Sequence, residues 1–166
     1  MRYRFFIIIL AFISVQATCN YSFKDVSVPP EVKTIRVNYI DNKARYINPQ
    51  LSPQLTDKLR QKIVSQTRLT VINGEEADYD IGGYITDFSV NTSGISGNQV
   101  SSNNLNVTVH LIFKNRLNSK KDFESDITRN FPFPGSMSFT DAQNNLMEEI
   151  LKNVTEDIFN KIFSDW

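Results

Sequence analysis

Cysteine occurs once in this chain, at Cys19, directly after Gln16-Ala17-Thr18 and at the end of an apolar run. That placement suits one reaction. A thiolate attacks a lipid donor, a peptidase that accepts small residues cuts before the cysteine, and the new amino terminus is acylated in turn. The acyl chains, palmitate among them, then hold the protein on a membrane at about 0.8 kcal/mol per buried methylene. Upstream, Met1-Arg2-Tyr3-Arg4 is a short cationic segment, and Phe5 to Val15 is apolar apart from Ser14. This run is shorter than the roughly 20 residues a membrane-spanning helix needs, so it reads as the core of a secretory leader. The competing reading is an ordinary leader cut near Ala17-Thr18, which leaves Cys19 as a free thiol in an oxidising compartment.

Other reactive groups are sparse. Asp78 and Asp80 share one face of an extended segment, the arrangement of a general acid and base. The remaining acidic pairs are Glu75-Glu76, Glu148-Glu149 and Glu156-Asp157, the last two on the polar side of a helix. His110 is the single histidine and lies on the polar phase of a strand, so no zinc site can be assembled with a second imidazole or a cysteine pair. Phosphate-loop and nucleophile-elbow spacings do not occur, and no cofactor is expected. Lys114, Arg116, Lys120 and Lys121 crowd one turn, with Arg129 further on. They are either a solvated hairpin end or an anion contact for lipid head groups or phosphorylated sugars.

The elements that would position these groups follow from periodicity. Val32 to Ile40 alternates, with Ile35, Val37 and Tyr39 on one face, and reads as a half-buried strand. A helix is expected with Ser52 as its cap and Pro53 as its first residue, ending near Gln66 and carrying Leu55, Leu59 and Ile63 as a stripe. Arg68 to Asn73 reads as a strand, and Asp78 to Asn91 as a longer one containing Gly82-Gly83, a mark of a bulge or close backbone crossing. Thr92 to Asn104 is polar and reads as the flexible link of a long hairpin. Leu105, Val107, Val109, Leu111 and Phe113 alternate with Asn106, Thr108, His110 and Ile112, the strongest strand pattern in the chain. Phe123 to Phe133 is a further strand, weakened at its end by Pro132 and Pro134. A final helix starts at a Thr140/Gln143 capping box or at Ser138 with Asp141, and repeats Leu146, Ile150, Val154, Ile158 and Ile162 every four residues. The expected class is α+β: a mostly antiparallel or mixed sheet of four to five strands with two helices on one face.

Composition agrees. The full chain of 166 residues carries 18 basic and 18 acidic side chains. Removing Arg2 and Arg4 with the leader leaves 16 against 18, too little positive charge for a nucleic-acid footprint. The organisation expected is a lipoprotein-type signal peptide over 1–18, a lipidated tether over 19–31 with Pro29-Pro30 near its end, and one domain over 32–166.

Three stretches carry a resemblance. Cys19-Asn20-Tyr21-Ser22-Phe23, Val28-Pro29-Pro30-Glu31 and Lys33-Thr34-Ile35-Arg36-Val37 resemble the mature amino terminus of the lipopolysaccharide-assembly lipoprotein family LptE, in its Bacteroidetes branch. Ser65-Gln66-Thr67-Arg68-Leu69 is similar to the end of that family's first helix and the start of its second strand. Glu148-Glu149-Ile150, Glu156-Asp157-Ile158-Phe159-Asn160 and Trp166 resemble its last helix. The likeness spans essentially 19–166 and rests on order and spacing rather than one motif. It implies a non-enzymatic, periplasm-facing outer-membrane lipoprotein. Such a protein would plug a large β-barrel of the LptD kind, assist its assembly, bind lipopolysaccharide and help deliver it to the outer leaflet. The alternatives are an exported hydrolase of envelope glycans or lipids using Asp78 and Asp80, and a general envelope-stability lipoprotein.

Overall fold

A computed structural model describes residues 28–96 and 99–164, so the leader, Cys19 and Trp166 lie outside the described residues. The chain forms β1 (Thr34–Val37), β2 (Asp41–Asn42), α1 (Leu51–Gln66), β3 (Thr70–Val71), β4 (Tyr79–Ser96), β5 (Gln99–Asn115), a 3-10 turn (Ser119–Lys121), β6 (Phe123–Pro134) and α2 (Phe139–Phe163). The six strands form one sheet in the order β3-β1-β4-β5-β6, with β2 on β4 just beyond β1. The antiparallel β4, β5 and β6 form a meander, while β1 runs parallel to both β3 and β4. The α+β class and the two helices agree with the sequence reading, and the sheet is one short strand larger.

Alternation decides which face is buried. On β5, Leu105, Val107, Val109, Leu111 and Phe113 are buried, and on β1 and β4 they are joined by Ile35, Val37, Tyr79, Ile81, Ile85 and Phe88. Both helices cover this face. Leu51, Leu55, Leu59 and Ile63 of α1 lie in the same core as Ile150, Leu151, Val154, Ile158, Phe159 and Ile162 of α2. Each such side chain contributes about 1.5–3 kcal/mol on burial, so the helical cover is the main source of cohesion. Polar links align it: Lys62 meets Glu156 between the helices at 2.5 Å, and Arg129 of β6 pairs with Asp157 of α2.

Several local expectations are corrected. Gln50, not Ser52, precedes α1, without a side-chain cap; Asn48 supports the entry by accepting from the Gln50 N–H at 2.9 Å. Ser52 lies inside the first turn and is buried, because the apolar stripe begins at Leu51 and draws the helix start toward the core. Ser138 caps α2, accepting from the Asp141 N–H at 3.1 Å. Gln143, freed from the alternative box, is buried and accepts a hydrogen bond from Asn48 at 3.2 Å. Of the expected loose link, Thr92 to Ser96 and Gln99 to Asn104 are strand. β4 and β5 stay paired through Asn91–Asn104, Thr92–Asn103 and Gly94–Ser102, since backbone bonds of a ladder do not need apolar side chains. Pro132 and Pro134 remain within β6, which as an edge strand tolerates missing donors.

Gly83 marks a close crossing. A Cβ there would lie 2.3 Å from the His110 carbonyl oxygen on the neighbouring strand, and its φ is +155°. Register shifts lie further on, between Ile85 and Asp87, between Thr92 and Gly94, and between Gly94 and Ile95. At the start of β4, Asp78 clips the parallel strand to it. Its carboxylate accepts from the N–H groups of Lys33 and Thr34 at 2.8 and 2.9 Å and from the Thr34 hydroxyl at 3.0 Å. The Lys33 N–H, more than any other group, holds this carboxyl below its ordinary value.

Gly83→Ala should lower unfolding free energy by about 2–3 kcal/mol in a denaturant titration. Gly82→Ala, whose Cβ meets only Asn38 Nδ2 at 3.6 Å, should stay near wild type, and equal losses would remove the close-crossing explanation. Asp78→Ala should cost about 2 kcal/mol at neutral pH. Because the folded value is depressed, this contribution is present above the ordinary carboxylate value and is lost as pH falls through the folded one. The stability gap between wild type and variant should therefore narrow below about pH 4; a gap constant with pH would mean the carboxylate charge is irrelevant.

Candidate functional site

β5 leaves the sheet at Asn115, and short polar side chains stitch the turn that follows. Asn115 Oδ1 accepts from the N–H groups of Leu117 and Asn118, each at 3.0 Å. Asp122 Oδ1 accepts from Asn115 N–H at 2.7 Å, and Asn118 Oδ1 from Lys120 N–H at 3.2 Å. With the backbone satisfied internally, the long side chains are turned outward. Lys114, Arg116, Lys120 and Lys121 are all exposed, and Leu117 among them is 52% exposed.

The structure divides these four cations. Lys114 and Arg116 line a shallow cleft of about 580 Å³ with Arg36, Glu75, Glu76 and Asp80, whereas Lys120 and Lys121 sit on the 3-10 turn outside that lining. Within the cleft, charge is balanced rather than positive. Arg36 grips Asp80 through Nε and Nη2 at 3.0 and 2.6 Å, and Asn38 Nδ2 donates to the same carboxylate at 2.7 Å. The cationic field of this end therefore comes from the turn.

The reading of Asp78 and Asp80 as an acid–base pair is overturned. Hydrogen bonding holds both carboxyls below their ordinary values, from Lys33 N–H at Asp78 and from Arg36 at Asp80. Both are ionised near neutrality, so neither can donate a proton. Asp78 is occupied by the β1 backbone and Asp80 by a guanidinium, because strand pairing brings each a donor that the sequence does not place nearby.

Topology adds what sequence spacing could not show. β1 begins at Thr34 opposite Thr70, Ile35 lies beside Tyr79, and Tyr79 is opposite Asn115. The point where the chain enters the domain and the basic turn thus share one end of the sheet. Val28, Pro29, Pro30, Val32, Lys33, Arg68, Leu69 and Thr70 enclose a cleft of about 260 Å³ there. Lys33 and Arg68 are cations of this end that sequence reasoning missed; their only signal is that each stands just before a short strand, and the parallel register that unites those starts is not legible.

The sheet face opposite the helices is polar, and no described helix covers it. His110 stands beside Tyr84 with ring centroids 5.0 Å apart, and its ring nitrogens meet Asp126 at 2.7 Å and Glu124 at 3.2 Å. The Asp126 contact first, and Glu124 after it, raise the imidazole above its ordinary value. This is a cross-strand ion cluster on an open face, and among the described residues no group of three or more His, Cys, Asp or Glu side chains could hold a metal ion. No described helix is long and apolar enough to cross a membrane.

Comparison with curated proteins found no match. Among solved structures, a hypothetical protein of Chlamydia trachomatis aligns with a TM-score of 0.57 at 8% identity, covering 80% of this chain and 96% of that one. A minor lipoprotein of Acinetobacter baumannii gives 0.52 at 13% identity, covering 80% and 94%. The rare lipoprotein B of Shewanella oneidensis gives 0.50 at 8% identity, covering 77% and 89%. At these identities the likeness shows a shared fold. The model of the lipopolysaccharide-assembly family LptE matches residues 32–162, which takes in every strand and nearly all of the last helix. The chain belongs to that family, one of assembly rather than catalysis.

Proposed function

We propose that this protein is an outer-membrane lipoprotein held through an acylated Cys19, acting beside a large β-barrel of the LptD kind as its plug and assembly partner. In this reading the basic turn meets the phosphorylated head of lipopolysaccharide on its way to the outer leaflet. The family match over 32–162 carries the assembly role. What supports the geometry is that the chain entry and the basic turn lie at the same end of the sheet. A tether of 13 residues, Cys19 to Glu31, spans at most about 45 Å when extended. It keeps Lys114, Arg116, Lys120 and Lys121 near whatever surface holds the lipid.

The turn has the chemistry such a surface needs. Lysine and arginine near an anionic membrane each contribute about 1 kcal/mol, and the exposed Leu117 between them suits the boundary between head group and acyl chain. The open polar face, rich in Asn, Ser and Thr, suits a wall of a protein lumen where many modest hydrogen bonds replace water. A hydrolytic role has no support, because the two carboxylates it requires are engaged and ionised.

Purification of the tagged full-length protein from detergent-extracted outer membranes should bring down a large β-barrel, and mass spectrometry should find Cys19 acylated at the mature amino terminus. Cys19→Ala should abolish membrane retention. Combined replacement of Lys114, Arg116, Lys120 and Lys121 by alanine should weaken binding of purified lipopolysaccharide at least tenfold and flatten its salt dependence. An unprocessed protein in the cytosol, or a retained protein without a barrel partner, would overturn the reading. Unchanged lipopolysaccharide affinity would remove the turn from it.

A further inference from the structure

The three outer edges of this sheet are not protected alike. The edge strand β6 contains Glu124, Asp126, Arg129, Pro132 and Pro134, the charges and prolines that discourage a passing strand. β3 is an edge of two residues. β4 is different. β1 pairs with it only as far as Ile81 and β2 only at Tyr84 and Ile85, with a last backbone bond from the Lys43 N–H to the Ile85 carbonyl at 2.9 Å. From Asp87 onward, among the described residues, β5 is its sole strand partner. The stretch Asp87-Phe88-Ser89-Val90-Asn91-Thr92-Ser93-Gly94 along this edge holds one charge and no proline.

Beside this edge lies a groove of about 460 Å³ lined by Arg45, Tyr46, Phe88, Ser89, Val90 and Phe139. Its apolar wall is built. The Tyr46 ring stacks on Phe88 at 5.9 Å and meets Phe139 edge-on at 4.9 Å. Tyr46 and Val90 nevertheless remain 42% and 36% exposed, so the wall is unfinished on its outer side. Arg45 is exposed and makes no ion pair among the described residues.

We propose that the outer edge of β4 from Asp87 to Gly94 takes up an extended segment of a partner protein as an added strand. One apolar side chain of that segment enters the Tyr46–Phe88–Phe139 groove, and an acidic one meets Arg45. The unpaired backbone supplies the hydrogen bonds, and the period of two places alternate side chains of the incoming strand on the Phe88 and Val90 face. A second copy of this chain fits worse. Each copy would bring its own Arg45 to the shared edge, and Asp87, the one acid of the stretch, alternates onto the opposite face. The proposal is independent of the barrel partner and of the basic turn, which lies at the other end of β4.

The test uses the mature full chain and a fluorescein-labelled nonapeptide of alternating valine and threonine bearing one glutamate. Anisotropy should show saturable binding, and amide exchange should slow within Asp87–Gly94 when the peptide is present. Val90→Lys should weaken binding at least tenfold, as should a central proline in the peptide, which removes the need to rely on any variant's folding. Arg45→Glu should weaken the glutamate peptide and strengthen its lysine counterpart. Equal affinity for the proline peptide, absence of saturable binding, or sedimentation showing a dimer whose β4 edge is already protected would each overturn the proposal.

Discussion

The alternation along β5 constrains the rest of the molecule. Five apolar side chains, Leu105 to Phe113, stand on one face of this interior strand, and a packed second layer is needed to remove that much surface from water. α1 and α2 supply it together. Because both helices are spent on one side, the other is left, among the described residues, as a floor of Asn, Thr, His and carboxylate side chains. The asymmetry is energetic in origin, and it creates the broad polar surface available to a larger assembly.

The strand starts make a second asymmetry, between the two ends of the sheet. Parallel pairing of β1 with β3 and β4 brings three strand beginnings together, and the antiparallel β5 delivers its own end to the same place. Asp78 closes the junction by accepting three hydrogen bonds from Lys33 and Thr34. That end holds the chain entry and the basic turn, while the far ends of β4 and β5 pair with each other at the opposite end. Membrane proximity and partner contact can thus be served by different ends of one small domain.

Much of this was legible in the sequence. Both helices, the strong strand, the hairpin and the α+β class follow from periods of 3.6 and 2, which are local properties of the chain. The close backbone crossing at the glycine pair was readable too, although the structure assigns it to Gly83 alone and puts the register shifts further along, the first after Ile85. The extent of β4 and β5 was not readable, because Ser, Thr and Asn pair through their backbones while looking like a loop by hydropathy. The cap of α2 was a choice between two local boxes, and the competing demand of Asn48 for Gln143 settled it.

By itself, then, the sequence determined the secondary elements, the buried phase of each strand, the crowding of cations at one turn and the family resemblance carried by ordered short segments. Tertiary structure alone decided that β1 lies parallel between β3 and β4, that Asp78 and Asp80 are occupied rather than catalytic, and that, among the described residues, β4 has only β5 as a strand partner from Asp87 onward. The physical reason is range. Periodicity and turn chemistry act over a few residues, whereas Asp78 with Thr34 and Asp80 with Arg36 meet across 44 positions of chain. Such pairs exist only once the whole sheet has chosen its register.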